Sequence, residues 1–214
     1  MKVGTKSVLF GTHCFLLHPI FIAVAWIKLY GFPFDPRVWI AFFVHDLGYW
    51  GKRNMDGPEG ETHVELGARI MHLFDWWDYL DITYHETGSQ LIEQDINFKE
   101  HEGWLFVDRI DLADNSYNIL FKKRKFKWRD FTLYHSRRYA KKNGTKYSKL
   151  CVADKLAFCI APYWLYLILA TLTGEIKEYM YNSNFEISKK KWHKRTAQHT
   201  RYWVNEHKDL APDT

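Results

Sequence analysis

The chain has 214 residues, 47% apolar and 18% aromatic with ten Trp, which suits one packed domain able to carry an insertion and excludes a disordered chain. Its formal net charge of +5 and pI near 8.9 are compatible with an anionic substrate or a nucleic-acid surface and select neither. The three cysteines, at 14, 151 and 159, form no CxxC pair and cannot all pair with one another; this argues against a secreted disulfide scaffold and for a reducing compartment, the cytoplasm.

In chain order, the N-terminal stretch VLFGTHCFLLHPIFIAVAWIKLYG has a faint look of a signal peptide or membrane span. His13 and His18 interrupt it, and no small-residue cleavage site is clear. Residues 19–30 read as a helix with Pro in its first turn, and GFPFDP (31–36) as a loop. Residues 37–48 read as a second, nearly all-apolar helix that ends on His45 and Asp46. Residues 51–60 have turn composition, and 61–74 read as a helix with Val64, Leu66, Ile70, Met71 and Leu73 as its apolar positions. From 76 to 127 the chain mixes β-branched, aromatic and charged residues, the pattern of short strands and turns in an insertion.

Helical character returns at 130–142 and 148–172, and 188–208 reads as a basic C-terminal helix. The apolar run 156–172 contains Pro162 and is shorter than the roughly 20 residues a membrane span needs. A core helix is therefore expected there, and no membrane span. The expected architecture is mainly α, a single helical domain over 1–214 interrupted by a small, partly β insertion.

Two basic runs, KKRKFKWR (122–129) and KKKWHKR (189–195), hold much of the positive charge. Such runs usually form solvated faces. Phe126 and Trp128 interleaved with cations would allow nucleic-acid or partner binding, but no recognised nucleic-acid motif accompanies them.

The segment FFVHDLGYWG (42–51) carries an apolar run directly into His45 and Asp46. Two ionisable groups at the end of a hydrophobic segment are costly unless something neutralises them. A His and an adjacent carboxylate can share metals: the imidazole binds one ion while the carboxylate uses its two oxygens to reach a second. Imidazole and carboxylate together suit Fe, Mn, Zn, Ni or Co. Further candidates are His18, 27 residues upstream of His45; His63, in ETHVELGARIM; His135, in FTLYHSRRYAKKNG; and Asp154, in LCVADKLAF, 19 residues after His135.

The order His…His-Asp…Asp, each on a helical segment, resembles the HD-domain superfamily of metal-dependent phosphohydrolases. HDLGYWG…EGETHVELGARIM is similar to its two-metal branch, in which a second His heads an H-x-x-x-G-A helix. YHSRRYAKKNG…LCVADKLA resembles that branch's third segment, a His followed by a helix bearing A-D-K. The likeness covers roughly residues 13–75 and 128–175 and implies an HD-like helical bundle.

It further implies one divalent transition metal on His18, His45, Asp46 and Asp154, and a second on Asp46, His63 and His135. His13 competes with His18; the latter is preferred because in the family this His begins the long helix leading toward HD. His85, 22 residues after His63, competes with His135, which the following A-D-K segment favours.

Two cations lower the pKa of a hydroxide between them and neutralise a phosphoryl oxygen. The expected activity is hydrolysis of a phosphate ester, a nucleotide or related mono- or diester, by a metal-activated hydroxide, with Asp46 at its centre. No G-x-S-x-G, Walker or G-x-G-x-x-G motif suggests another chemistry. Arg137, Arg138, Lys141 and Lys142 are placed near His135 to bind phosphate, Arg138 and Lys142 by sharing its helical face. Lys155 follows a ligand, Lys52 and Arg53 would cover the pocket mouth, and His13, if not a ligand, suits a proton donor. Glu59 and Glu61 are expected to hold His63 or Lys52. A diiron oxygenase of HD type and a non-catalytic binding module are the alternatives.

Overall fold

The computed structural model describes residues 1–75, 127–182 and 187–211, and the backbone of three strands between them. In these segments the chain is mainly α. The helices are α1 (Val3–Phe10), α2 (Leu17–Tyr30), α3 (Pro36–Val44), α4 (Val64–His72), α5 (Trp128–Leu133), α6 (Arg137–Lys142), α7 (Lys149–Ile160), α8 (Tyr163–Thr173), α9 (Glu175–Asn182) and α10 (Lys189–His207). The strands are β1 (Ile82–His85), β2 (Trp104–Leu112) and β3 (Asn115–Lys122), antiparallel in the order β1-β3-β2. They fall within the stretch expected to be an insertion; the rest of 76–126 lies outside the described residues.

Local chemistry explains where the helices start. Asp35 accepts a hydrogen bond from the Arg37 amide and Pro36 occupies the first turn, so GFPFDP ends as the cap of α3. Ser148 and Ser188 cap α7 and α10 in the same way. Gly31, at φ +80°, takes the backbone out of α2 through a region that side chains disfavour.

Three helices expected from periodicity are broken. The helix bearing His45 ends at Val44, and Asp46 leaves it with φ −101° and ψ 0°, followed by a 3-10 turn at Leu47–Tyr49. The stretch 130–142 is two helices, α5 and α6, with His135 between them. The apolar stretch 148–172 is also two, α7 and α8, bent by 101° at Pro162. Proline has no amide hydrogen for the helical ladder, so the break falls there. No single described helix is long and apolar enough to cross a membrane.

The largest core cluster joins Ile22, Ala25 and Trp26 of α2 to Val38, Ala41 and Phe42 of α3, Met71 of α4, Trp128 and Phe131 of α5, and Leu150, Ala153 and Ala157 of α7. Burial of these side chains contributes roughly 1.5–3 kcal/mol for each large one. It also sets five helices around one centre, onto which the polar residues His18, His45, Asp46, His63, His135 and Asp154 project, all of them buried.

Candidate metal centre

Each donor reaches the centre from a different local device. His18 is the second residue of α2, and Asp154 lies mid-way along α7. His45 is the C-cap of α3 and Asp46 follows it outside the helix. His63 closes a 3-10 turn that leads into α4, and His135 occupies the corner between α5 and α6.

Two glycines let these pieces approach. A Cβ on Gly48 would lie 1.8 Å from the His63 carbonyl oxygen, and one on Gly67 would lie 2.7 Å from the Val44 carbonyl oxygen and 2.9 Å from the His45 Cα. Each contact is with backbone, which cannot swing aside. The glycines of HDLG and HVELGA are thus the points where the two motifs lock together.

Asp46 is the shared residue. Its Oδ2 lies 3.2 Å from His18 Nε2 and 3.0 Å from His45 Nε2, while its Oδ1 lies 3.5 Å from His63 Nε2 and 3.4 Å from His135 Nε2. Asp154 Oδ1 closes the first group, 3.1 Å from His18 Nε2. Two overlapping clusters result, His18–His45–Asp46–Asp154 and Asp46–His63–His135, with donor atoms within 4.8 Å of one another in each. Either can hold a metal ion.

The hydrogen bonds behind the rings test that fit. Nδ1 of His45 lies 3.0 Å from the Phe42 carbonyl, Nδ1 of His63 2.7 Å from that of Gly60, and Nδ1 of His135 2.5 Å from that of Thr132. A carbonyl only accepts, so each Nδ1 carries the hydrogen and a neutral ring presents a bare Nε2 lone pair to the centre. Burial lowers the pKa of His45, and lowers that of His63 to about 3 against the opposing pull of Asp46, so both rings are neutral at pH 7.

Lone pairs then crowd the centre: His45 Nε2 is buried with no hydrogen-bond partner, and His63 Nε2 meets His135 Nε2 at 3.2 Å. Such orphaned acceptors are costly inside a protein. Cations between them would satisfy these acceptors, and this donor set of imidazole and carboxylate fits a divalent transition metal.

The carboxylates keep their charge. Burial alone would raise Asp46, but His45, His13 and the hydrogen-bonding His135 and His18 hold it well below the usual carboxylate range. Burial likewise opposes the ionisation of Asp154, and Lys155 and His18 overcome it; Lys155 Nζ sits 2.5 Å from Asp154 Oδ2. For His18 burial is again the opposing effect, and Asp154 and Asp46 raise its pKa to about 9.

A cavity of about 420 Å³ opens beside the first cluster, with His13, His18, Tyr49, Asp154, Lys155 and Arg137 on its wall. His13 belongs to neither cluster: its Nε2 is 4.0 Å from Asp46 Oδ2, and its Nδ1 is 3.3 Å from Glu175 Oε2. Of the expected phosphate-binding residues, Arg137 and Lys155 line the cavity. Arg138 is exposed, its guanidinium 3.8 Å from Glu61, and Lys141 and Lys142 are exposed on α6. The expectation that Arg138 and Lys142 share a helical face with His135 does not hold, because His135 lies in the break before α6. Lys52 donates to the Thr62 hydroxyl at 2.5 Å, and among the described residues it is not on the cavity wall. Glu59 accepts from the Arg53 amide, an exposed loop contact. The side chain of His85 lies outside the described residues.

Two neighbours of the centre were not singled out from the sequence. Tyr49 stacks on His63 with ring centroids 4.0 Å apart and planes 8° apart. It sits three residues after Asp46, so proximity to the HD pair was its signal. Glu175 is fully buried and accepts from the Thr12 amide at 3.2 Å, from the Thr12 hydroxyl, from Thr173 Oγ1 at 2.6 Å and from the Tyr179 hydroxyl at 3.2 Å. TGEIKEYM has the composition of an ordinary surface helix start, and nothing in it marks the acid as buried. No family model, curated protein or solved structure matches this chain.

Proposed function

We propose that this chain is a metal-dependent phosphohydrolase of HD-like architecture, acting on a phosphate ester. One observation carries the reading: the two oxygens of Asp46 divide between two clusters of buried imidazoles whose Nε2 atoms face the centre, beside a cavity lined by Lys155 and Arg137. The motif order of the sequence supports it. His18, His45, Asp46 and Asp154 would hold one ion; Asp46, His63 and His135 would hold the other. Two divalent cations held there would supply a water nucleophile at neutral pH and positive charge against the phosphoryl oxygens.

The protein's own groups do the rest. Lys155 and Arg137 bind the phosphate oxygens that face the cavity, the guanidinium through paired N–H donors. The ring of Trp203 lies 5.4 Å from the Arg137 guanidinium and limits where it can turn. His13, on the cavity wall with Nδ1 against Glu175, presents Nε2 to the leaving-group oxygen and gives it a proton. We assign all of 1–214 to one helical domain with an insertion at about 76–127. We also assign the protein to the cytoplasm, where the free thiols of Cys14, Cys151 and Cys159 remain reduced.

The test is metal content by mass spectrometry together with hydrolysis of p-nitrophenyl phosphate and bis(p-nitrophenyl) phosphate, wild type beside Asp46→Ala. About two transition-metal ions per chain and phosphate release, both lost in the variant, are expected. Absence of metal and of hydrolysis after reconstitution overturns the reading; oxygen uptake without phosphate release reassigns the centre to oxidation.

A further inference from the structure

The cavity beside the metal centre changes character along its length. At one end stand His18, Asp154, Lys155 and Arg137. Beyond Asp154 the same wall of α7 continues as Ala157, Phe158 and Ala161, seven residues and about 10 Å further along the helix axis. Leu165 and Leu169 of α8, four residues apart and so on one helical face, line the cavity as well. The 101° bend at Pro162 is what turns α8 back from the end of α7. Trp192, Thr196 and Thr200 of α10 complete this part of the wall, where α10 packs on the outer half of α7: Phe158 and His193 are 4.7 Å apart between ring centroids, and Cys159 Sγ reaches the Ala197 carbonyl.

We infer that this site, if it is the phosphohydrolase centre proposed above, takes an amphiphilic phosphate ester: the phosphate lies at Lys155 and Arg137, and an alkyl or aryl group fills the chamber formed by α7, α8 and α10. The inference rests on that functional reading for the chemistry and on the cavity for the substrate class. A volume of about 420 Å³ is within the range of small-molecule sites, which are mainly apolar with a few convergent polar groups. Lys155 and Arg137 bring the cationic side chains to this wall, and on the α8 and α10 sides the polar groups are the hydroxyls of Tyr166, Thr196 and Thr200 beside Leu165, Leu169 and Trp192. Ala157 and Ala161 leave the room that larger side chains would occupy.

The test uses the full chain and non-hydrolysable methyl-, butyl- and octylphosphonate, with binding read by calorimetry. Affinity should rise about fourfold for each added methylene until the chamber is full. Ala161→Trp, which fills the apolar end, should abolish that gain and leave methylphosphonate binding unchanged. Leu169→Ser, less bulky, should reduce the gain several-fold and guards against a variant that fails to fold; circular dichroism checks both.

Affinity independent of chain length, or adenosine 5′-monophosphate bound more tightly than octylphosphonate, overturns the inference. Cosedimentation with vesicles of phosphatidylcholine and phosphatidic acid, lost in Ala161→Trp, would identify a lipid source, and binding of monomeric octylphosphonate alone a soluble one; either supports the amphiphile. Because binding is read without turnover, the two proposals fail separately. Chain-length dependence without any ester hydrolysis sinks only the hydrolase, and hydrolysis without chain-length dependence sinks only the amphiphile.

Discussion

Gly67 of α4 packs so closely on His45 that an added Cβ would stand 2.9 Å from the His45 Cα and 2.7 Å from the Val44 carbonyl oxygen. Helix propensity favours Ala over Gly by about 1 kcal/mol in a helix interior. Backbone overlap opposes it, and overpacking of this kind costs about 1–3 kcal/mol. Gly67→Ala should therefore destabilise the protein despite the better helix former. Urea denaturation followed by circular dichroism measures this; an increase in stability would show that α3 and α4 do not meet as described.

The division of Asp46 between two clusters predicts a selective pattern of metal loss. Asp154→Ala should leave the second cluster loaded and remove about one ion of two, and His63→Ala should do the reverse. Metal analysis of both variants after dialysis gives the stoichiometry. Equal loss of both ions in each variant would mean one cooperative site.

Glu175 gives the fold a defined acid dependence. Burial would raise its pKa, but hydrogen bonds from His13, Thr12 and Thr173, and the charge of His13, bring it down to about 2 from an ordinary 4.5. A group with a depressed folded-state pKa stabilises above its unfolded pKa and loses that contribution as pH falls through the folded one. The stability difference between wild type and Glu175→Gln should be on the order of 3 kcal/mol above pH 4.5 and shrink as pH falls toward 2. Chemical denaturation across that range reads it; a difference that does not vary with pH would show that the carboxylate charge is irrelevant.

Tyr49 covers His63 face to face at 4.0 Å. Stacked rings contribute about 0.5–1.5 kcal/mol beyond area burial. Tyr49→Ala should weaken metal binding at the His63 cluster by up to about tenfold, since 1.4 kcal/mol is a factor of ten. Tyr49→Phe keeps the stack and should bind as wild type. Competitive chelator titration compares them, and equal affinity in the Ala variant would remove the ring from the site.

Much of the centre was legible in the chain because its chemistry is local. An apolar run that ends on His45-Asp46, and acids or imidazoles in further apolar segments, state a burial problem that water cannot solve, and the residue types that solve it are those that bind metal. Apolar periodicity likewise located α2, α4 and α10 to within a few residues. What the sequence could not decide depends on approach between distant segments. Periodicity cannot see that His135 needs a corner rather than a helix, because both have the same apolar neighbours. His13 and His18 differ in role only because α2 begins at Leu17 and carries His18 inward, while His13 is taken up by Glu175, 162 residues away. The burial of Glu175, the ring of Tyr49 over His63 and the chamber behind Asp154 arise from packing between helices, and only the tertiary structure fixes them.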